Sequence, residues 1–362
     1  MDGVVLFDWG DTVMRVFPEY RGPMAQWPEV EVLTGVEEML EALHPQRRLV
    51  IATNAADSGS ALVWVALARA NIDQYFDAVF TAQELGITKS NPLFFHLILH
   101  ELGVPLDGAV MVGDSYQPDI VGAKEAGLRA VWLNTMGFRC PVTHPIHDGE
   151  IQAMGELPGV LANMHLPDMR TCAALLKEHN ITARASRHSE AVAAVGYRLA
   201  VRLKKLGEPV DPLLVHRAGL LHDLGKLVAE RAGGAAHGQV GAQILRDHSY
   251  PEALARIVER HPMFTILESS PNGQGASWEE KIVYYIDKVV EGDEVVGVAR
   301  HVEALRQRYP QYDDQFSRSL PLVLGLEAEI CNRMGLSSST LLDSLADWQG
   351  SRYLSREPVY FA

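Results

Sequence analysis

The amino-acid sequence predicts an α/β domain followed by an all-α domain. Three observations carry that reading. Short apolar runs alternate with helical patterns over residues 1–140, prolines and glycines break the periodicity over 141–168, and from 169 to 362 the patterning is almost wholly helical.

Taken in order, the runs Val4–Phe7, Leu49–Ala52, Ala78–Phe80, Ala109–Val112 and Ala130–Leu133 are too short for helices and apolar throughout, as strands covered on both faces are. The stretches between them have room for crossover helices, which makes a doubly wound parallel sheet. Chemistry in such sheets gathers at the carboxyl ends of strands. Here those ends carry Asp8, Thr53-Asn54, Thr81 and Gly113-Asp114. Pro141, Pro145, Pro158 and Pro167, interleaved with Gly149, Gly155 and Gly159, read as a linker or docking segment over 141–168. Beyond it, Gly207-Glu208-Pro209, Gly233-Gly234 and Pro271 to Gly275 separate helical stretches. The aromatic residues Trp348, Tyr353, Tyr360 and Phe361 belong to a C-terminal helical extension and read as packing residues.

Bulk properties narrow the function. A chain of 362 residues exceeds the usual single core, and 47% hydrophobic with 22% charged residues is ordinary for a globular protein. A formal net charge of -14 repels nucleic-acid backbones and anionic membranes. No apolar stretch approaches the roughly 20 residues of a membrane span. Cys140, Cys172 and Cys331 lie far apart, with neither a disulfide framework nor a zinc knuckle in their spacing, so a cytoplasmic protein is expected. Small phosphorylated molecules remain as ligands, because bound cations reverse the local sign. Self-association is left open.

Five loci in the second half place metal-ligand side chains next to apolar residues at helical spacing. They are His188 before Val192, the pair His222-Asp223 after Ala218, His237 before Val240 and Ile244, His261 after Ile257, and Asp287 after Val283. Such spacing turns the polar groups inward. Burying one of them without a partner costs on the order of 2 to 7 kcal/mol, so a converging set calls for a shared metal. Imidazoles and carboxylates without thiolate suit iron, manganese, zinc, cobalt or nickel. Asp223, beside a histidine, is placed to bridge two ions, and two ions about 3.5 to 4 Å apart acidify a bridging water and clamp phosphoryl oxygens. Lys226, one helical turn after His222, is expected on the same face, facing a substrate phosphate.

The order H…HD…H…H…D resembles the HD superfamily of metal-dependent phosphohydrolases over roughly residues 170 to 310. The strings RHSEAVAAVG, AGLLHDLGK, HGQVGAQIL, ERHP and KIVYYIDKVV are most similar to bacterial HD-type hydrolases that split diadenosine tetraphosphate. The resemblance implies that His188, His222, Asp223, His237, His261 and Asp287 bind two metals, commonly iron or manganese, and that the substrate is a nucleotide.

Residues 1–140 resemble the haloacid dehalogenase superfamily. Asp8 in VVLFDWGDTV stands at the nucleophile position, Thr53 in VIATN at that of the phosphoryl-binding hydroxyl, Lys89 in GITKSNP at the charge-neutralising lysine, and Asp114 with Asp119 in VGDSYQPD at the acidic magnesium motif. Carboxylate attack on phosphorus needs a hard cation and an ammonium to offset anion repulsion. Gly10 departs from the family's phosphatases, which carry a second aspartate there, and its loss costs about 10²- to 10⁴-fold on ordinary esters. Asp11, one residue on, would point elsewhere. The intervals around the motifs are too short for a separate lid domain, so this domain is expected to be capless.

The expected activity is metal-dependent hydrolysis of a phosphoester or phosphoanhydride at the HD set. Turnover at Asp8 with the HD half as accessory, and nucleotide sensing without turnover, are the alternatives.

Overall fold

The computed structural model describes residues 3–231, 236–268 and 275–348. The Gly233-Gly234 break, residues 271–274 of the Pro271 to Gly275 break, and Tyr353, Tyr360 and Phe361 lie outside them. Within the described residues the chain divides into two compact units. The first runs to Pro141 and includes Ile146–Met164; the second comprises Val142–Pro145 and the chain from His165 onward.

The first unit is built on a parallel sheet of β1 (Val4–Phe7), β2 (Arg48–Thr53), β3 (Ala78–Thr81), β4 (Ala109–Gly113), β5 (Arg129–Leu133) and β6 (Gly149–Ile151). Helices connect them: α1 (Val36–Leu43), α2 (Ser60–Arg69), α3 (Ala82–Leu85), α4 (Leu93–Leu102), α5 (Gly122–Ala126) and, after β6, α6 (Leu157–Ala162). The strand order β3-β2-β1-β4-β5-β6 reverses direction between β1 and β4, so the sheet is doubly wound and a crevice opens at the carboxyl ends of those two strands. All four residues of β1 are buried and pair in register with β2 on one side and β4 on the other. Asp8 therefore leaves the sheet at its middle.

The stretch 141–168 is not a plain connector. Its residues Gly149–Ile151 add the sixth strand, pairing with Val131–Leu133, and α6 follows with Leu157 and Leu161 buried. Three strand residues among prolines and glycines carry too little periodicity to register as a strand. Only Val142–Pro145 and His165–Asp168 of this stretch go with the helical unit.

That unit consists of α7 (Met169–Glu178), α8 (Ala183–Lys205), α9 (Pro212–Leu221), α10 (Lys226–Arg231), α11 (His237–Asp247), α12 (Glu252–Arg260), α13 (Trp278–Val289), α14 (Val298–Arg308), α15 (Asp313–Met334) and α16 (Ser338–Ala346), plus a two-residue hairpin, β7 (Val290–Glu291) with β8 (Glu294–Val295). Side-chain oxygens of Asp168, Thr182, Asp211, Ser277 and Ser337 cap α7, α8, α9, α13 and α16, fixing where these helices begin. Trp348, at the end of the described chain, is buried and donates to Asp293 O. Among the described residues no helix is long and apolar enough to cross a membrane.

Candidate functional sites

In the helical unit the six expected ligands meet. His188 lies inside α8 and Asp287 inside α13, while His222 and His261 cap the C-termini of α9 and α12 and His237 opens α11. Asp223 sits in the turn between α9 and α10. Four of the six thus occupy helix ends rather than the helix interiors expected from spacing. In the turn that holds Asp223, α11 packs so closely over Gly225 that a Cβ would stand 2.3 Å from His237 O and 2.4 Å from Gly241 N. Backbone contact that tight excludes any side chain. We expect Gly225→Ala to push α11 and His237 away, lowering stability by about 1–3 kcal/mol and loosening metal, read as a fall in Tm and in bound metal together.

The ligand atoms form three overlapping groups, two of which share Asp223 while the third joins His222, His261 and Asp287. Asp287 Oδ1 lies 2.9 Å from His188 Nε2 and 3.5 Å from His222 Nε2, and Asp223 Oδ2 lies 3.8 Å from His222 Nε2. On the other side, Asp223 Oδ1 lies 3.7 Å from His237 Nε2 and 3.8 Å from His261 Nε2. The two oxygens of one carboxylate therefore face different imidazole sets. His188, His222 and Asp223, and likewise Asp223, His237 and His261, bring ligand atoms within 4.8 Å of one another.

Three tests say that this set fits metal. His188, His222 and His261 each hold Nδ1 against a carbonyl, Gly292 O at 3.0 Å, Gly219 O at 2.8 Å and Val258 O at 2.6 Å. A carbonyl only accepts, so Nδ1 carries the proton and Nε2 presents its lone pair inward. His222 Nε2 is buried with no hydrogen-bond partner, an orphan of the kind a metal satisfies. The electrostatics agree. Burial, then the nearby charges of His222 and His237, holds His261 well below its ordinary value, and burial likewise lowers His237, so both are neutral donors. At His222 burial opposes protonation, but Asp223 and Asp287 outweigh it and raise the imidazole. For Asp287, burial is overcome by the charge of Lys288 and by the neighbouring His188 and His222 imidazoles, leaving its carboxyl well below the usual range.

Lys226 does not simply point outward from the face of His222. Its Nζ donates to Asp223 Oδ2 at 2.8 Å while the side chain stays half-exposed. Lys288 escaped the sequence reading. Buried, it hydrogen-bonds Asp287 and donates to His261 O at 2.8 Å, joining ligands from α12 and α13. The only sequence signal was a lysine next to an acid at the end of the apolar run Ile282–Ile286.

The first unit gathers its own expected residues. Asp8, Asp114 and Asp119 offer ligand oxygens within 4.8 Å of one another, at the crevice between β1 and β4. Asp119 comes from a π-helical turn, Tyr116–Val121, a rare local winding that recurs at functional sites. Buried Lys89 hydrogen-bonds Asp8 and lies 2.5 Å from Asp119 Oδ1. Burial, then the charge of Asp8, pushes Asp114 up to about 6, and burial pushes Asp119 up to about 7 despite Lys89. Acids crowded this far from their ordinary range, all oxygen donors, fit a hard divalent cation. Thr53 ends β2, buried, its Oγ1 accepting from Ala55 N. Asn54, at the strand end already noted, accepts from Lys89 N at 2.9 Å, and Thr12, which no motif pointed to, exchanges hydrogen bonds with Asp114.

A cavity of about 290 Å³ opens on Asp8 and Thr53, walled by Trp9, Val16, Met24 and Trp27. The wall is a loop, not a lid domain. It folds back through the Met14 to Val32 bridge and backbone hydrogen bonds from Arg15 to Glu31 and Leu33 to Val13. Gly10 lines this cavity, and a Cβ there would meet Val16 Cγ2 at 2.9 Å. Asp11 holds φ 51° and spends its carboxylate on Val16 N at 2.9 Å, closing the turn instead of replacing the missing acid.

Comparison with known proteins identifies both units. The family model for haloacid dehalogenase-like hydrolases matches residues 4–127, and the HD domain model matches residues 186–291. An uncharacterized protein of Methanocaldococcus jannaschii is 36% identical over 129 residues, 33% of this chain and 75% of that one. The pyrimidine 5'-nucleotidase of Escherichia coli is 37% identical over 103 residues, 28% of this chain and 44% of the enzyme. N-acylneuraminate-9-phosphatase of Homo sapiens is 33% identical over 130 residues, 36% of this chain and 51% of that protein. The chain spans about half the length of these two characterized relatives.

Proposed function

We propose, from the premise that this chain joins a haloacid dehalogenase-like hydrolase domain to an HD domain, that its principal activity is hydrolysis of a phosphoester or phosphoanhydride in a nucleotide-like substrate at the HD centre. The observation that carries this reading is the sharing of Asp223 between two imidazole sets. His188, His222 and Asp287 would hold one divalent ion, His237 and His261 the other, with Asp223 common to both. When bound, such ions supply a water acidified to about pKa 7 and charge to neutralise phosphoryl oxygens. Iron or manganese suits the ligands, and zinc, cobalt and nickel are the competing choices.

The chain's own residues do the rest. Backbone carbonyls fix the imidazole tautomers, Lys288 holds Asp287 ionised, and Lys226 stands beside Asp223 where its ammonium meets an incoming phosphate. A dinucleoside polyphosphate is the substrate that the sequence strings favour. The test is a panel of nucleoside monophosphates, cyclic nucleotides, dinucleoside polyphosphates and alarmones incubated with protein loaded with manganese or iron. Release of phosphate or nucleotide from one class supports the reading, and silence across the panel under every metal favours a non-catalytic nucleotide sensor.

A second reading rests on the first unit. Asp8, Thr53, Lys89, Asp114 and Asp119 assemble there, suited to magnesium and to nucleophilic attack by Asp8. Gly10 leaves an alkoxide leaving group without its proton donor. We expect p-nitrophenyl phosphate, whose leaving group needs no proton, to be turned over at least about 10²-fold faster than an alkyl phosphate, measured as kcat with magnesium. Equal rates would place an acid elsewhere in the cavity.

A further inference from the structure

We propose that Glu178, His179 and His248 form a separate transition-metal site that clips the end of α7 to the end of α11. One ligand atom from each of the three lies within 4.8 Å of the others. Two imidazoles and one carboxylate are a zinc-type donor set that leaves room for water. The residues stand apart from the HD centre. His248 caps α11 at the end opposite His237, about 16 Å away along an 11-residue helix.

The backbone independently favours a cation there. His179 and His248 occupy the same position in two matching helix ends: each is the C-cap, followed by a left-handed residue, Asn180 at φ 56° or Ser249 at φ 60°. Each end closes with the same pair of hydrogen bonds, Asn180 N to Lys177 O with Ile181 N to Leu176 O, and Ser249 N to Arg246 O with Tyr250 N to Leu245 O. Two helix C-termini therefore converge on one spot, and each carries roughly half a negative charge there. His179 also keeps a buried Nε2 with no hydrogen-bond partner, while His248 is steadied by stacking on Tyr250, with ring planes 24° apart. Arg246, which could compete for the carboxylate, is engaged by Glu252 and Glu259. Zinc ligands sit 2.0–2.2 Å from the ion, so the exposed Glu178 and His248 side chains close inward on binding.

Held this way, α11 is tied at one end to α7 while its other end presents His237. The experiment is a zinc titration of untagged, full-length protein against a chromogenic chelator, comparing wild type with Glu178→Gln and His248→Ala. Both changes are at exposed side chains, so folding is preserved and checked by circular dichroism. We expect His248→Ala to bind one zinc equivalent fewer than wild type, and Glu178→Gln to weaken that equivalent at least tenfold, whatever the HD centre retains. Zinc should also raise the Tm of wild type more than that of His248→Ala. Equal stoichiometry and affinity in wild type and both variants would overturn the site.

Discussion

Asp223→Ala is expected to remove both metals from the HD centre and to lower its turnover by at least about 10³-fold, because water without the ions returns from a pKa near 7 toward 15.7. Asp223 turns one carboxylate oxygen toward His222 and the other toward His237 and His261, so its loss takes a ligand from both imidazole sets at once. The fold should survive. His222 and His261 keep their carbonyl hydrogen bonds, and Gly225 keeps its contact with α11. Elemental analysis, circular dichroism and nucleotide turnover on one preparation separate the outcomes: full metal content in a folded variant contradicts the ligand set.

Asp8→Asn is expected to abolish magnesium-dependent phosphatase activity in the first unit, by at least about 10⁴-fold, the scale of losing a covalent nucleophile. Asparagine preserves shape but cannot attack phosphorus as a carboxylate does. It also removes one of the two carboxylates that offset burial of Lys89, while Asp119 remains as counter-ion. The readout is kcat on p-nitrophenyl phosphate with magnesium, measured beside nucleotide hydrolysis with manganese. Loss of the first with retention of the second assigns one activity to each unit. Unchanged turnover on every substrate leaves the first unit structural.

What could be read from the residues followed from burial. Val4–Phe7 and Ala109–Val112 announce interior strands because both faces of a parallel sheet are covered, and the strand-end position of Asp8 then needs no further information. His188 and Asp287 show their inward direction through helical spacing with Val192 and Val283. Features made by a close approach or by distant chain segments were not legible. The close approach of α11 to Gly225 in the turn that holds Asp223 is not declared by anything local to LHDLGK. Strand β6 has three residues and depends on β5 for its pairing. Thr12 and Lys288 act through partners 102 and 27 positions away. The pairing of His179 with His248 likewise arises only when two helix ends meet.

The most direct measurement is electron paramagnetic resonance of manganese-loaded protein, paired with a manganese count per chain. Two manganese ions sharing Asp223 predict a spin-coupled signal that disappears in Asp223→Ala and persists in His248→Ala. An uncoupled single-ion spectrum in the wild type, or coupling that survives Asp223→Ala, would contradict the shared-carboxylate centre.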